Sequence, residues 1–138
     1  REMSEAREVY ELTIAVQPED IDQMGHVNNV VYLRWVQDAA TAHWSAAAAP
    51  EDQAALLWVV LRHGIDYVRP ALPGDVITAR TWVGPASGIK FERHVELRRS
   101  GDGVVLARAR SLWCPIDSQT MRPVAVRPEV RERFSIPS

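Results

Sequence analysis

In DIDQMGHVNN, residues 20–29, a carboxylate (Asp22), an imidazole (His26), two amides (Asn28 and Asn29) and a glycine (Gly25) fall close together. Such a concentration of reactive and hydrogen-bonding groups is unusual for a plain connection. The run VVYLRWVQDAATAHWSAA, residues 30–47, follows directly, so the polar stretch feeds the start of a helix. A helix N-terminus carries unpaired N–H groups and positive partial charge, and it can hold an oxygen that becomes negative when a carbonyl is attacked. Asp22 would then supply the base or the nucleophile. A thioester suits such a site, because its carbonyl is more reactive than an amide and its thiolate leaves without strong acid help. Asp and Asn also cap helices and form turns with no chemistry attached, and residue type and spacing alone favour capping. On the same terms His26 could orient a carboxylate, donate to a substrate or satisfy loop backbone groups. Gly25 allows a tight backbone turn or the close approach of a substrate.

The elements that must hold these residues follow from periodicity. Tyr10, Leu12, Ile14 and Val16 alternate along Val9 to Val16, which reads as a strand. Gln17 to Asn28 has loop composition. From Asn29 to about Ala47 there is no Gly or Pro, Asn28 or Asn29 is placed to cap, and Val31, Trp35, Ala39 and Ala42, widened by Val36, Ala40, His43 and Trp44, predict a largely buried helix. Strands are expected at Leu56 to Val68, Asp75 to Val83, Ile89 to Arg99 and Val104 to Cys114. Ile89, Phe91, Val95 and Leu97 lie opposite Lys90, Glu92, His94, Glu96 and Arg98, the pattern of a sheet with one wet face. GPASG, residues 84–88, reads as a turn, Gly101-Asp102-Gly103 as a hairpin, and Pro128 to Phe134 as one helical turn. This is an α+β layout in which an antiparallel sheet wraps one long helix.

A length of 138 residues with 46% hydrophobic content fits a single domain over residues 1–138. The formal charge of −2 offers no basic field for a phosphate polymer, so no nucleic-acid partner is expected. No apolar run approaches the ~20 residues of a membrane helix, and the opening REMSEAREVY lacks a signal-peptide apolar stretch. With one cysteine, Cys114, the expectation is a cytoplasmic protein without membrane contact. A helix this apolar in so short a chain leaves surface for a second copy, so at least a dimer is expected.

The pattern D-x-x-G-H-V-N-N-x-x-Y-x-x-W, here Asp22, Gly25, His26, Val27, Asn28, Asn29, Tyr32 and Trp35, resembles the 4-hydroxybenzoyl-CoA thioesterase family of hotdog folds. The order of elements is similar over nearly the whole chain, while the sharp motif covers Asp22 to Trp35. The resemblance implies hydrolysis of an acyl-CoA thioester, with Asp22 as nucleophile or general base and the Asn29 backbone N–H polarising the carbonyl. It implies Gly25, Asn28, Tyr32 and Lys90 as substrate-binding residues, a channel at a subunit interface, and a homodimer or homotetramer. H-V-N-N is also similar to plant acyl-ACP thioesterases, where the loop aspartate and histidine both act, which adds His26 to the catalytic set and acyl-ACP to the candidate substrates. The asparagine those enzymes carry two residues after the aspartate is Met24 here. Where close relatives of the 4-hydroxybenzoyl enzyme carry basic residues before the fourth strand, this chain has Ala86, Ser87 and Gly88; Lys90, Arg93, Arg98 and Arg99 are the nearby cations, although charges on a strand most often form a solvated face. A non-catalytic hotdog module that binds acyl groups is the alternative from another class, and the retained Asp22 argues against it.

Other signals carry less. Cys114 sits in an apolar strand before Pro115 with no nearby histidine and reads as packing. His26, His43, His63 and His94 show no ligand spacing, so no metal and no cofactor are expected. The five tryptophans are scattered and read as core or channel wall.

Overall fold

The structure, a computed structural model, describes residues 8–134. The sequence reading of residues 1–7 therefore lies outside the described residues. β1 (Val9–Ala15) leads through a 3-10 turn (Pro18–Asp20) to α1 (Asn29–Ala47) and α2 (Pro50–Ala55). Then come β2 (Leu56–Tyr67), β3 (Val76–Ser87), β4 (Lys90–Arg99), β5 (Val105–Asp117) and α3 (Pro128–Phe134). The strands form one antiparallel sheet in the order β1-β3-β4-β5-β2.

α1 begins where Asn28 turns extended and its Oδ1 accepts the Val30 N–H at 3.2 Å. It ends at Ala47: Ala48 is already extended at ψ 145°, and Ala49, which Pro50 keeps out of helical geometry, continues extended at ψ 148°. Tyr32, Trp35, Val36 and Ala39 on its inner face pack against Ile77, Ala79, Val95, Leu97, Leu106 and Ala107 of the sheet. The alanines on both sides let helix and sheet approach closely. Trp35 is fully buried, and truncating such a side chain typically costs about 3–5 kcal/mol. A second apolar cluster, including Leu56, Val83, Phe91, Val130 and Phe134, fills the space at the far end of α1.

Several expectations need correction. GPASG is not a turn: β3 continues to Ser87 with a register shift between Val83 and Ala86, and the reversal falls at Gly88 and Ile89. Ile89 is accordingly outside the strand that was expected to start there. α2 has no counterpart in the expected elements. Ala42 and Trp44 are only half-buried, whereas Tyr32, absent from the expected stripe, is buried. Arg93 follows the inward phase of β4 with Phe91, Val95 and Leu97, and is buried at 8% exposure. It therefore does not belong to the wet face.

Arg93 Nη1 donates to Thr81 Oγ1 and to His43 Nδ1, both at 3.0 Å, and His43 Nε2 meets Glu8 Oε1 at 2.8 Å. Because His43 Nδ1 accepts, its proton sits on Nε2. Burial pushes the His43 pKa down, outweighing the Glu8 carboxylate that pulls it up, and the Arg93 charge adds to the depression. Burial also lowers His63 and His94. A histidine neutral in the fold but titrating near its ordinary ~6.5 when unfolded gives stability that is complete above that value and is lost as pH falls below it. Urea midpoints should therefore drop between about pH 8 and about pH 5, and His43→Gln should make that slope shallower. An unchanged slope in the variant would remove His43 from the account.

Candidate active site

The loop from Val16 to Asn28 is held at both ends. Asp20 is 1% exposed; its Oδ2 accepts the Gln17 N–H at 2.8 Å and its Oδ1 accepts Arg34 Nη2 at 3.0 Å. The Asp20 backbone carbonyl takes the Asn28 N–H at 2.8 Å, and the Val27 N–H goes to the Ala71 carbonyl at 3.0 Å. Between these ties the chain folds on itself through an isolated bridge of Ile21 to Val27. Gly25 donates its N–H to the Asp22 carbonyl at 3.1 Å and sits at φ +79°, a conformation that costs glycine nothing and other residues more. A Cβ there would meet nothing within 4 Å, so the requirement is backbone conformation rather than space.

Asp22 differs from Asp20 in what is left over. Its Oδ1 accepts the N–H groups of Met24 at 2.9 Å and His26 at 3.2 Å, while Oδ2 has no partner among the described residues. One oxygen anchors the carboxylate and the other stays available. At the start of α1, the Val30 N–H is taken by Asn28 Oδ1 and the Val31 N–H by the Asn28 carbonyl at 2.9 Å. With the Asn28 N–H on Asp20, the Asn29 N–H is left without a protein acceptor among the described residues. Asp22, Met24, His26, Asn28, Asn29 and Tyr32 line one open cleft of about 470 Å³, whose opposite wall is Tyr67, Val68, Arg69 and Pro70.

The structure thus brings Asp22, His26, Asn28, Asn29 and Tyr32 to one cleft, with Gly25 in the turn behind it. The Asn28 amide oxygen is occupied by its cap. The Tyr32 hydroxyl accepts the Ala71 N–H at 2.7 Å; burial holds the phenol pKa above its ordinary value, so its proton stays available to donate. The His26 ring has no hydrogen-bond partner among the described residues. Lys90 is not among the residues that line this cleft: it opens β4 directly after the reversal at Gly88 and Ile89. Arg98 pairs with Glu96, and Arg99 with Asp75 and Asp102, so neither is an idle cation.

The sequence reading missed Tyr67 to Pro70 as a wall of the cleft. Tyr67 donates its hydroxyl to the Asn29 carbonyl at 3.3 Å, and Arg69, an exposed residue, lines the cleft beside it. Only the juxtaposition of the end of β2 with the start of α1 makes them neighbours. Ser111 Oγ and His63 Nδ1 lie 2.6 Å apart across β5 and β2, but neither residue lines this cleft. Among the described residues no three His, Cys, Asp or Glu side chains gather as a metal site, and no helix is long and apolar enough to cross a membrane.

A five-stranded antiparallel sheet wrapped on one long helix, with a polar loop delivering a carboxylate to that helix's start, defines a hotdog-fold protein. The chain matches the thioesterase-like superfamily over residues 16–134 and belongs to it. It is 27% identical over 129 residues to the long-chain acyl-CoA thioesterase FadM of Escherichia coli, covering 88% of this chain and 93% of that protein. It is 31% identical over 81 residues to chloroplastic oleoyl-acyl carrier protein thioesterase 1 of Arabidopsis thaliana, covering 59% of this chain but only 22% of the plant enzyme. The chain thus spans about a fifth of the length of the chloroplast relatives it matches. The crystal structure of a 1,4-dihydroxy-2-naphthoyl-CoA thioesterase from Synechocystis superposes with a TM-score of 0.78 at 18% identity, over 91% of this chain and 96% of that one, a likeness of fold.

Proposed function

We propose that the chain hydrolyses an acyl-CoA thioester to a free acid and CoA in the cleft at the start of α1. The observation that carries this reading is that Asp22 and Asn29 line the same cleft, while neither the Asp22 Oδ2 nor the Asn29 N–H has a protein partner among the described residues. In the reaction the thioester carbonyl oxygen accepts from the Asn29 N–H, so negative charge developing there meets the positive end of the helix. Asp22 then takes a proton from water as the hydroxide forms the new C–O bond, or attacks the carbonyl carbon to give an anhydride that water opens. In either case the C–S bond breaks and the thiolate carries away the electron pair. His26 and Tyr32 face the same volume as hydrogen-bond donors, Gly25 and Asn28 hold the turn and cap, and Arg69 is the cation best placed for an anionic carrier at the rim. Lys90 enters this reading only through a second copy of the chain. Likeness to FadM over most of both chains favours CoA; the shorter likeness to the chloroplast enzymes keeps an acyl carrier protein as the second reading.

The same reading includes a dimer. Among the described residues β2 stands at an edge of the sheet, paired with β5 alone, and it carries exposed Leu57, Val59 and Leu61. A long apolar edge of this kind invites pairing, and a second copy is the simplest cover.

Asparagine at position 22 keeps a carbonyl oxygen to receive the Met24 and His26 N–H groups, so Asp22→Asn tests charge with little change of shape. Thiol release from acyl-CoA should fall by roughly 10²–10⁴-fold in this variant, with the urea midpoint nearly unchanged. Full activity in Asp22→Asn would refute the mechanism, and faster release from the matching acyl carrier protein would transfer it to that substrate. Light scattering should give a mass of at least two chains; a monomer would remove the assembly from the account.

A further inference from the structure

Asp20 stands two residues before Asp22 and commits all of its polar atoms to the chain around it. Its N–H goes to the Gln17 carbonyl at 2.9 Å and its Oδ2 takes the Gln17 N–H back at 2.8 Å, which closes the Pro18–Asp20 turn. Its carbonyl takes the Asn28 N–H at 2.8 Å, and its Oδ1 takes Arg34 Nη2 at 3.0 Å. At 1% exposure it is the most deeply buried carboxylate among the described residues. A charge withdrawn from water this far is costly unless it is paired and hydrogen-bonded. Capping a three-residue turn needs neither a charge nor a partner fourteen residues away, so the bond to Arg34 is the feature that turn formation does not explain.

These bonds close a ring. Asp20 holds Asn28, Asn28 caps α1 through Val30 and Val31, and six residues or roughly 9 Å further along the helix Arg34 returns to Asp20. The ring takes the Asn28 N–H out of play and sets the direction of the cap, which leaves the Asn29 N–H as the unspent donor of the helix start. It is also the base of the Ile21 to Val27 bridge, inside which the Asp22 N–H meets the His26 carbonyl at 2.8 Å. Asp22 and Asn29 therefore hang on one carboxylate that does not itself line the cleft. On the reading that this cleft hydrolyses a thioester, we propose that Asp20, clamped by Arg34, is a positioning residue for the reaction, setting the Asp22 carboxylate against the Asn29 N–H. A misplacement of ~1 Å in such a pair can cost roughly a hundredfold in rate.

Asp20→Asn keeps the shape and an oxygen for the Gln17 N–H while removing the charge that holds Arg34. Arg34→Gln removes the other half of the clamp from a side chain that is 53% exposed, and it carries the same test if Asp20→Asn does not fold. Each variant should lower kcat for an acyl-CoA by roughly 10- to 100-fold and change KM less than about threefold. The double variant should lose no more than Asp20→Asn alone, because the two residues act as one unit, and Arg34→Lys should recover part of the rate. A lower urea midpoint with kcat of the folded chain at the parent value would overturn the proposal. So would a loss carried by KM, or a full additional loss when Asp20→Asn is placed in Asp22→Asn. Amide exchange on the free chain reads the geometry without turnover: the Asn28 N–H should be protected in the parent and exchange faster in both variants. Unchanged Asn28 protection, or faster exchange with undiminished kcat, overturns the positioning role alone. A parent chain that releases thiol from no acyl thioester overturns the assigned reaction and the proposal with it.

Discussion

The burial of α1 governs the rest of this structure. A nineteen-residue helix with Trp35, Val36 and Ala39 withdrawn from water must be covered by a sheet longer than it is wide. The antiparallel strands supply that cover, with Ile77, Ala79, Leu97 and Ala107 forming the inner surface. A helix sheathed in this way can offer chemistry only at its ends. At the N-terminal end the positive pole meets a loop pinned by Asp20 and by the Val27 tie to Ala71, and Asp22 and Asn29, whose Oδ2 and N–H have no protein partner among the described residues, line the same cleft. At the C-terminal end, the sheet and α3 leave an aromatic cavity with a buried cation.

Much of this layout was legible because the strongest signals were local. Asn28 as a cap, the uninterrupted run to Ala47 and the alternation of β1 each depend on neighbours within a few residues. Capping falls on Asn28, and the chemistry proposed here needs only its neighbour. Asn28 satisfies the Val30 and Val31 N–H groups, and that leaves the Asn29 N–H unspent. What was not legible needed distance. Tyr67 to Pro70 line the cleft only because the end of β2 returns to the start of α1, and Lys90, directly after the reversal at Gly88 and Ile89, is not among the residues that line it.

Two misreadings have physical causes that were present in the sequence. Arg93 shares the phase of Phe91, Val95 and Leu97, so alternation assigns it inward, but its charge argued for water; His43 and Thr81, from α1 and β3, are the polar partners that admit it. GPASG has turn composition, yet Pro85 sits where the register shifts and its missing N–H costs the sheet least, so the strand passes through. α2 is only six residues long, with Pro50 at its first turn and Glu51 and Asp52 behind it, a helix start too short for periodicity to reveal.

The central claim is that the start of α1 receives the carbonyl oxygen of the substrate. Its most direct test is a structure of the chain bound to an acyl-CoA analogue in which a methylene replaces the thioester sulfur. The carbonyl oxygen should lie about 3 Å from the Asn29 nitrogen, with an Asp22 oxygen facing the carbonyl carbon or a water beside it. A carbonyl lodged in the Arg93 cavity, or anywhere beyond reach of the Asn29 N–H, would contradict the account.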